Sequence, residues 1–344
     1  MASMTRNLLL STARVQRENL HWRRPLIAGV VTGLLAALCI ATDHTSYAVP
    51  LAVGSWFTSL IDTRQPFGIH LRTMSWSALW LAVGATIGGF ASTTGYWQLL
   101  IVAGMALACG FAGALGGLGL GNGSLVLVMY AIFAGSPVSD RHALQTGLLV
   151  LIGGLVTIVT STAIYAMCAR DQMRVRPEKS ASVRHRLAAH LNAHDEYVIH
   201  GVRLALIMVV ATAIAHLLGW PHEYWIPMTV AWVARPGGAL TLERTWHRVL
   251  GTIAGIVLIT CLMWTSGQSP YELAVLAAAG ATMTLIFVRA NYAIAVAGIT
   301  IAIMALFAIE GQSFEMNALF RIWATLVAGG LLTVGVLIWP SREK

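Results

Sequence analysis

The sequence predicts an all-α, polytopic membrane protein with about 12 transmembrane helices in two parallel six-helix repeats. Hydrophobic residues make up 57% of the 344 positions and charged residues only 10%, against about 25% charged residues in a soluble domain. The apolar residues form long continuous runs, as membrane helices do, whereas a membrane barrel would alternate apolar and polar residues. Motifs of the first half recur in the second at nearly equal spacing.

The apolar runs divide into two groups of six. The predicted spans lie near residues 25–42, 47–61, 72–93, 97–116, 120–135 and 144–168, and then near 202–219, 224–235, 248–266, 271–288, 291–310 and 319–340. A polar stretch rich in Arg and His separates the groups. The predicted organisation is a basic N-terminal segment (1–24), a first membrane repeat (25–168), a linker (169–200), a second membrane repeat (201–340) and a tail (341–344).

The basic residues predict the orientation. If the N-terminus is cytoplasmic and each span crosses once, all of the 22 Lys and Arg residues except Arg141 and Arg321 lie on the cytoplasmic side, in agreement with the positive-inside rule. We therefore expect a multi-pass protein of the cell inner membrane with both termini in the cytoplasm. The net charge of +8 then reflects orientation and contact with membrane lipid. A nucleic-acid partner is disfavoured, because the basic residues flank spans instead of forming one soluble patch.

Short motifs indicate the repeat. Ser46-Tyr47-x-x-Pro50 corresponds to Glu223-Tyr224-x-x-Pro227, and GGLVT at Gly153 corresponds to GGLLT at Gly329. The proline-to-glycine separations, 50 to 153 and 227 to 329, differ by one position. Because six spans per half is an even number, both halves begin on the same side of the membrane, and the repeat is parallel.

The second and eighth spans are short, and each contains a proline. Paired short or interrupted segments at equivalent places in two halves are typical of a transporter's substrate site, because irregular backbone is tolerated in a membrane only against protein or a water-filled cavity. We therefore predict a substrate cavity beside Pro227. The alternative is a tilted helix with a proline kink.

Three arginines follow the eighth span and predict anion recognition. Arg244 and Arg248 lie four positions apart, on one face of a helix, and Arg235 precedes a Pro-Gly-Gly turn. Guanidinium groups bind carboxylates bidentately, so the three could form a cationic entrance on the cytoplasmic side. Ordinary membrane anchoring is the alternative for each of them. Trp232 lies deeper in the eighth span and is a candidate for stacking on a planar substrate.

His222 and Glu223 are candidates for proton coupling, because histidine titrates near neutral pH; a solvated outer loop is the alternative. We expect no cofactor and no metal. A membrane enzyme is the least favoured class, since the sequence has no HExxH, no GxSxG and no paired carboxylates within its spans.

The second half resembles the FUSC family, the fusaric acid resistance and aromatic acid exporter-like group of membrane transporters. The resemblance depends on HEYWIPMT at His222, RPGGALTLERTWHRVLGTIAG at Arg235, NYAIAVAGIT at Asn291, and a late Arg321 before GG and WP. The family pattern implies functional positions at Tyr224, Trp225, Arg235, Thr241, Arg244, Arg248, Gly251, Thr252, Asn291, Tyr292 and Arg321. The first half lacks the full arginine signature, so an asymmetric substrate contact is expected.

The resemblance implies an efflux transporter for small aromatic or amphipathic acids. We accordingly predict a secondary, proton-coupled exporter of organic anions such as aromatic carboxylic acids. Two alternatives stay open: a passive organic-anion channel, similar in helix layout to the aluminium-activated malate transporters, and a membrane scaffold that transports nothing. Besides the substrate and membrane lipid, a homo-oligomer and accessory export subunits are the partners considered.

Overall fold

The computed structural model describes residues 14–61, 67–136, 139–168, 183–192, 194–220, 222–265 and 269–339. Residues 169–182 and 193 of the predicted linker, and the whole predicted C-terminal tail, lie outside these residues. The described secondary structure is helical, which confirms the all-α class. In chain order the α-helices are α1 (Arg23–Ala41), α2 (Ala48–Leu60), α3 (Phe67–Ala91), α4 (Trp97–Phe111), α5 (Gly117–Ala134), α6 (Asp140–Cys168), α7 (Val183–Ala189), α8 (Glu196–Leu218), α9 (Trp225–Val233), α10 (Gly238–Thr265), α11 (Pro270–Phe287), α12 (Tyr292–Ile309) and α13 (Phe314–Ile338).

Ten helices among the described residues have the length and apolar composition to cross a membrane. They coincide with ten of the predicted spans. The second and eighth predicted spans are the shorter helices α2, with 13 residues, and α9, with nine. At 1.5 Å per residue, α9 is only about 14 Å long, less than half of the roughly 30 Å hydrocarbon core. A multi-pass membrane protein is confirmed, whereas twelve full crossings are not.

The same helix pairs pack in both halves. In the first half α3 packs on α5 and α6, α2 packs on α6 and α1, and α4 packs on α5. The helices α8 to α13 of the second half correspond in order to α1 to α6, and they make the same five pairings. Between the halves α1 packs on α11, and the equivalent pair, α8 and α4, packs likewise.

Glycines allow the equivalent helices to approach closely. In GATIG, Gly84 and Gly88 of α3 lie against the α5 backbone at Val126 and Tyr130. In GTIAG, Gly251 and Gly255 of α10 lie against the α12 backbone in the same way. A Cβ at any of these glycines would overlap a carbonyl oxygen. The small residues therefore set the spacing of these helix pairs, as GxxxG patterns do in membranes.

The predicted boundary of the ninth span is wrong by ten residues. The helix begins at Gly238, not near 248, and its first turns include Glu243, Arg244 and His247. These polar residues lower the local hydropathy and hide the helix start. As a result, Arg244 lies within a candidate membrane helix instead of before it, and Arg248 lies ten residues after the helix start instead of at it.

Candidate functional site

The short helix α9 is the centre of the candidate site. All nine of its residues are buried, and it packs against α5, α8, α10 and α13. A membrane helix in contact with lipid would expose one face, so α9 is enclosed by the rest of the chain. The space around α9 is therefore inside the protein, at the depth of the membrane.

Two arginines reach this interior. Arg248 of α10 and Arg321 of α13 are each only 1% exposed, and each guanidinium acts electrostatically on the other. None of the three side-chain nitrogens of either residue has a hydrogen-bond partner among the described residues. Arg321 lies seven residues into α13, about 10 Å from its start. The orientation pattern counted Arg321 with the outer side, whereas the structure places it inside a helix.

Aromatic rings cover both guanidinium groups. The Arg321 guanidinium carbon lies 5.1 Å from the ring centroid of Trp225, and that of Arg248 lies 5.8 Å from Trp232. Arg244 stacks on Tyr292 at 4.3 Å. Cation–π contacts of this kind stabilise by about 0.5–2 kcal/mol. That is less than the several kcal/mol that burial of an unpaired ion costs, so the cationic pair is only partly compensated.

Arg203 of α8 shows how the same side chain is satisfied when its role is structural. It is nearly as buried, at 5% exposure. Its Nη2 donates to the carbonyls of Arg235 and Pro236 at 2.8 Å each, and its Nη1 donates to the Trp339 carbonyl at 3.2 Å. Arg203 thus ties the end of α13 to the turn after α9. A buried arginine in this fold can therefore have hydrogen-bond acceptors, as Arg203 does.

Arg235 and Thr241 stabilise the turn before α10. Arg235 Nη1 donates to Ser124 Oγ at 2.9 Å and to the Ala234 carbonyl at 2.8 Å. The Thr241 hydroxyl accepts from the Arg235 backbone N–H at 3.1 Å and lies 2.9 Å from the Gly237 carbonyl. Both predicted site residues are therefore occupied with local contacts, unlike Arg248 and Arg321.

Asn291 serves as a helix cap. Its Oδ1 accepts from the Ile294 backbone N–H at 3.0 Å at the start of α12, and its Nδ2 donates to the Arg14 carbonyl at 3.2 Å. The neighbouring Tyr292 is different. It is buried, its hydroxyl lies beside Arg248, and that hydroxyl forms no hydrogen bond of good geometry with described residues. Of the two predicted residues, Tyr292 belongs to the arginine cluster, by which we mean Arg244, Arg248 and Arg321 with the aromatic rings that contact them.

The two prolines begin helices instead of breaking them. Pro50 and Pro227 are each the third residue of their helix. The backbone N–H groups of a first turn have no partner within the helix, so a proline costs little there. The alternative of a proline kink within a span therefore does not describe α2 or α9. The two cavities next to α9 have volumes of about 10 Å³ each, room for about one water, and Pro227 lines one of them.

The structure separates His222 from Glu223. The His222 ring stacks on Trp225 and Phe307, with centroid distances of 4.8 and 5.2 Å. Burial lowers the pKa of His222, the charge of Arg321 lowers it further, and a hydrogen bond with Asn317 opposes both. His222 thus adjoins Arg321 and Trp225 from the connection between α8 and α9.

Glu223 contacts His216 of α8 and not the arginine cluster. Its carboxylate lies 2.9 Å from His216 Nδ1, while His216 Nε2 contacts Gln98 Oε1 at 2.9 Å. Gln98 in turn donates to the Ala134 carbonyl. This chain of contacts connects α8 to α4 and α5, so Glu223 contributes to the joining of the two halves.

Glu310 is a further ionisable residue of this region, at the end of a predicted span. It is half-buried at the end of α12, and burial raises its pKa to about 7. Gln312 Nε2 donates to Glu310 at 3.2 Å, and Asn317 Nδ2 donates to Gln312 Oε1 at 3.3 Å. Since Asn317 also contacts His222, a polar chain runs from Glu310 to the arginine cluster. A single carboxylate at the end of an apolar run was the available signal.

The first half has no equivalent charge pair. Leu81, three positions before Gly84, takes the place of Arg248, which precedes Gly251 by the same interval. Gln145 takes the place of Arg321, and its Nε2 donates to the Tyr47 hydroxyl at 2.7 Å. The equivalent region of the first half is thus neutral and hydrogen-bonded. This agrees with the expected asymmetry of the two halves.

The ten membrane-length helices, among them α8 and α10 to α13 around the enclosed arginine pair, define a multi-pass membrane protein. Residues 209–335 match the family model described as fusaric acid resistance protein-like. Over these residues of its second half, the chain is similar to this FUSC family, which confirms the predicted resemblance.

Three curated relatives extend the comparison. The inner membrane protein YccS of Escherichia coli strain K12 is 30% identical over 159 residues, which is 46% of this chain and 22% of YccS. The uncharacterized protein slr1298 of Synechocystis sp. is 30% identical over 159 residues, 46% of this chain and 21% of its own length. The uncharacterized protein ORF2 of Neisseria gonorrhoeae is 26% identical over 154 residues, 44% of this chain and 36% of its own. The matched part is thus well under half of each relative. No solved structure matches the chain.

Proposed function

We propose that the protein transports small organic anions across a bacterial cytoplasmic membrane, with aromatic carboxylates as the preferred class. The observation that carries the proposal is the pair Arg248 and Arg321, both buried, within electrostatic range of each other, and without a hydrogen-bond acceptor among the described residues. Two unpaired guanidinium groups at membrane depth are costly and repel each other. A carboxylate between them would satisfy both through charge-assisted hydrogen bonds.

The walls of the site favour an aromatic substrate. Trp225, Trp232 and Tyr292 present ring faces next to the guanidinium groups. Offset or edge contacts between aromatic rings contribute about 0.5–1.5 kcal/mol beyond their buried area. A planar ring with one carboxylate would combine both kinds of contact, whereas an aliphatic acid would use only the charge.

The close packing around α9 favours a gated carrier. With cavities of about 10 Å³ beside it, the helices have to separate before an aromatic acid can enter. Such alternating access is the usual mechanism of secondary transporters built from two repeats. We propose two parallel six-helix repeats with α2 and α9 as the short members, supported by the matched helix pairs. We also propose cytoplasmic termini, supported by the basic-residue pattern.

Export and proton coupling complete the proposal. The Glu310 carboxylate, connected to His222 through Gln312 and Asn317, is the group we propose to exchange a proton during the cycle. It replaces Glu223 of the predicted pair, because Glu223 is engaged with His216. A proton bound at Glu310 would change the charge near the outer end of the arginine cluster as the anion leaves.

The test is flux of labelled benzoate in reconstituted vesicles, with benzamide as the uncharged analogue. We expect Arg248→Gln and Arg321→Gln each to reduce benzoate flux about tenfold or more, since a hydrogen bond to a charged group is worth about 1.5–3 kcal/mol. Arg72→Gln, which changes an exposed arginine of α3, is the matched control and should keep full flux.

Each other outcome has a clear meaning. Benzoate flux that persists in both arginine variants at equal protein content would refute the anion site. Anion current without proton movement would identify a channel in place of a coupled carrier. Flux equal to that of empty vesicles across a broad panel of acids would favour the non-transporting scaffold.

A further inference from the structure

A cavity among the described residues lies away from the arginine pair, between the two halves. Its volume is about 410 Å³, within the usual range of ligand sites. It is enclosed by the start of α1 and by the ends of α2, α6 and α11, together with Met74 near the start of α3. All of these helix ends lie on the side of the membrane that the basic residues predict to be cytoplasmic.

The cavity combines a basic rim with apolar walls. Arg23, Arg24 and Arg289 stand at its rim, and Trp22, Ile27 and Leu285 are among its wall residues. Hydroxyl groups of Ser59, Thr157 and Ser161 also line it. The outward face of α1 is apolar and exposed, with Leu26 and Val30 about half accessible, as expected where a helix meets lipid. An amphiphile can therefore place its charged part at the rim and its apolar part along α1.

The equivalent interface between the halves, formed by α4 and α8, is closely packed at the corresponding position. There, Gly110 of α4 and Gly201 of α8 meet backbone to backbone, since a Cβ added at Gly110 would lie 2.6 Å from the Gly201 Cα. Arg203 closes the same end through its three carbonyl contacts. The two interfaces thus differ although the same helix pairs form them.

The sequence explains the difference. Under the offset that relates Pro50 to Pro227, Arg24 stands where the other interface has Gly201, and Phe287 stands where it has Gly110. Two large side chains replace two glycines, so the ends of α1 and α11 cannot close. The closest approach of α1 and α11 moves deeper, to Gly29 and Gly33 against Ala278 and Thr282. The cavity is therefore built into the packing of this one interface.

We propose that this cavity binds one anionic phospholipid of the leaflet that faces the α1 N-terminus. The guanidinium groups of Arg23, Arg24 and Arg289 match a phosphate in charge, and the apolar walls continue onto the lipid-facing side of α1. Phosphate groups pair well with arginine, and basic pockets between membrane helices on this side suit acidic headgroups. The proposal does not depend on the transport function.

The test is native mass spectrometry of the protein released from nanodiscs that contain phosphatidylglycerol and phosphatidylcholine. We expect one phosphatidylglycerol retained in preference to phosphatidylcholine. Arg23→Gln combined with Arg289→Gln should weaken this retention roughly 30-fold, since each basic residue contributes about 1 kcal/mol near a membrane surface. Arg17→Gln combined with Arg72→Gln removes the same charge from exposed positions outside the cavity and should leave retention unchanged.

A second variant tests the space inside the cavity separately from the charges at its rim. Ala28→Phe fills part of the cavity and keeps every charge, so it should also lose the retained lipid. Equal losses in the Arg17/Arg72 double variant would show general charge attraction and overturn the site. Unchanged retention in Ala28→Phe would place the lipid outside the cavity. Displacement of the lipid by benzoate would instead identify the cavity as a substrate entrance and contradict the proposal.

Discussion

Replacement of Arg321 by Met tests whether the buried arginine is maintained for a ligand at the expense of stability. Arg321 is 1% exposed and forms no hydrogen bond with described residues, while Arg248 acts on it as a like charge. Methionine keeps most of the chain length, fills the same space and removes the charge. Exchange of buried ionic groups for apolar residues of similar size is often stabilising by about 1–4 kcal/mol. The lost contact with Trp225 offsets about 0.5–2 kcal/mol of this.

We therefore expect Arg321→Met to raise the free energy of unfolding by about 1–2 kcal/mol without substrate. At an entropy of unfolding of about 2.1 cal/mol/K per residue, a chain of 344 residues gains roughly 1.4 °C per kcal/mol, so the Tm should rise by about 1–3 °C. The assay is thermal unfolding in detergent, followed by intrinsic fluorescence, with and without benzoate. Benzoate at 100 times its Kd should stabilise the unchanged protein by about 2.7 kcal/mol and should leave the variant unaffected.

Arg203→Met is the matched control. It removes an equally enclosed arginine that donates to three carbonyls. Hydrogen bonds to charged groups are worth about 1.5–3 kcal/mol each, so this variant should lose at least about 3 kcal/mol. If Arg321→Met were destabilising to a similar degree, Arg321 would have a structural partner, and the reasoning behind the anion site would fail.

Two further predictions concern Glu310 and the contact between the halves. Because the folded-state pKa of Glu310, about 7, lies above its ordinary value of 4.5, its contribution to stability is complete below pH 4.5 and is lost as the pH rises through 7. Glu310→Gln should flatten this part of the pH profile in chemical unfolding, and Glu315→Gln, at an exposed position of α13, should leave it in place. Gly110→Ala should destabilise the α4–α8 contact by about 1–3 kcal/mol through overpacking, whereas Gly104→Ala in the same helix, with open space around its Cβ, should be neutral or stabilise by up to about 1 kcal/mol. Equal effects of the two glycine variants on the Tm would contradict the close contact.

Hydropathy was sufficient to locate most of the helices. It failed at the start of α10, because Glu243, Arg244 and His247 lie on a helix that continues through them. The presence of Pro50 and Pro227 correctly marked two short helices, but the sequence did not show that the prolines lie in the first turns of these helices. A proline in a first turn and a proline in a kink look alike in sequence, and only the helix start distinguishes them.

The candidate site was only partly predictable. The sequence grouped Arg235, Arg244 and Arg248, and the family resemblance added Arg321, but neither could tell which of these arginines have partners. Arg235 donates to Ser124, a residue 111 positions away, and Arg203 is satisfied by carbonyls from two distant turns. Such contacts depend on tertiary packing, so the distinction between a structural and an unpaired arginine required the structure.

The imbalance of charge between the halves has an electrical consequence. In the proposed transport cycle, a single carboxylate neutralises only one of the two guanidinium groups, so the substrate-loaded centre would retain one positive charge and the unloaded centre two. Any displacement of this centre along the membrane normal therefore moves charge through the transmembrane potential. A full crossing of one elementary charge corresponds to about 2.3 kcal/mol per 100 mV, which makes the voltage across the bilayer a force on the carrier in both its occupied and its unoccupied form.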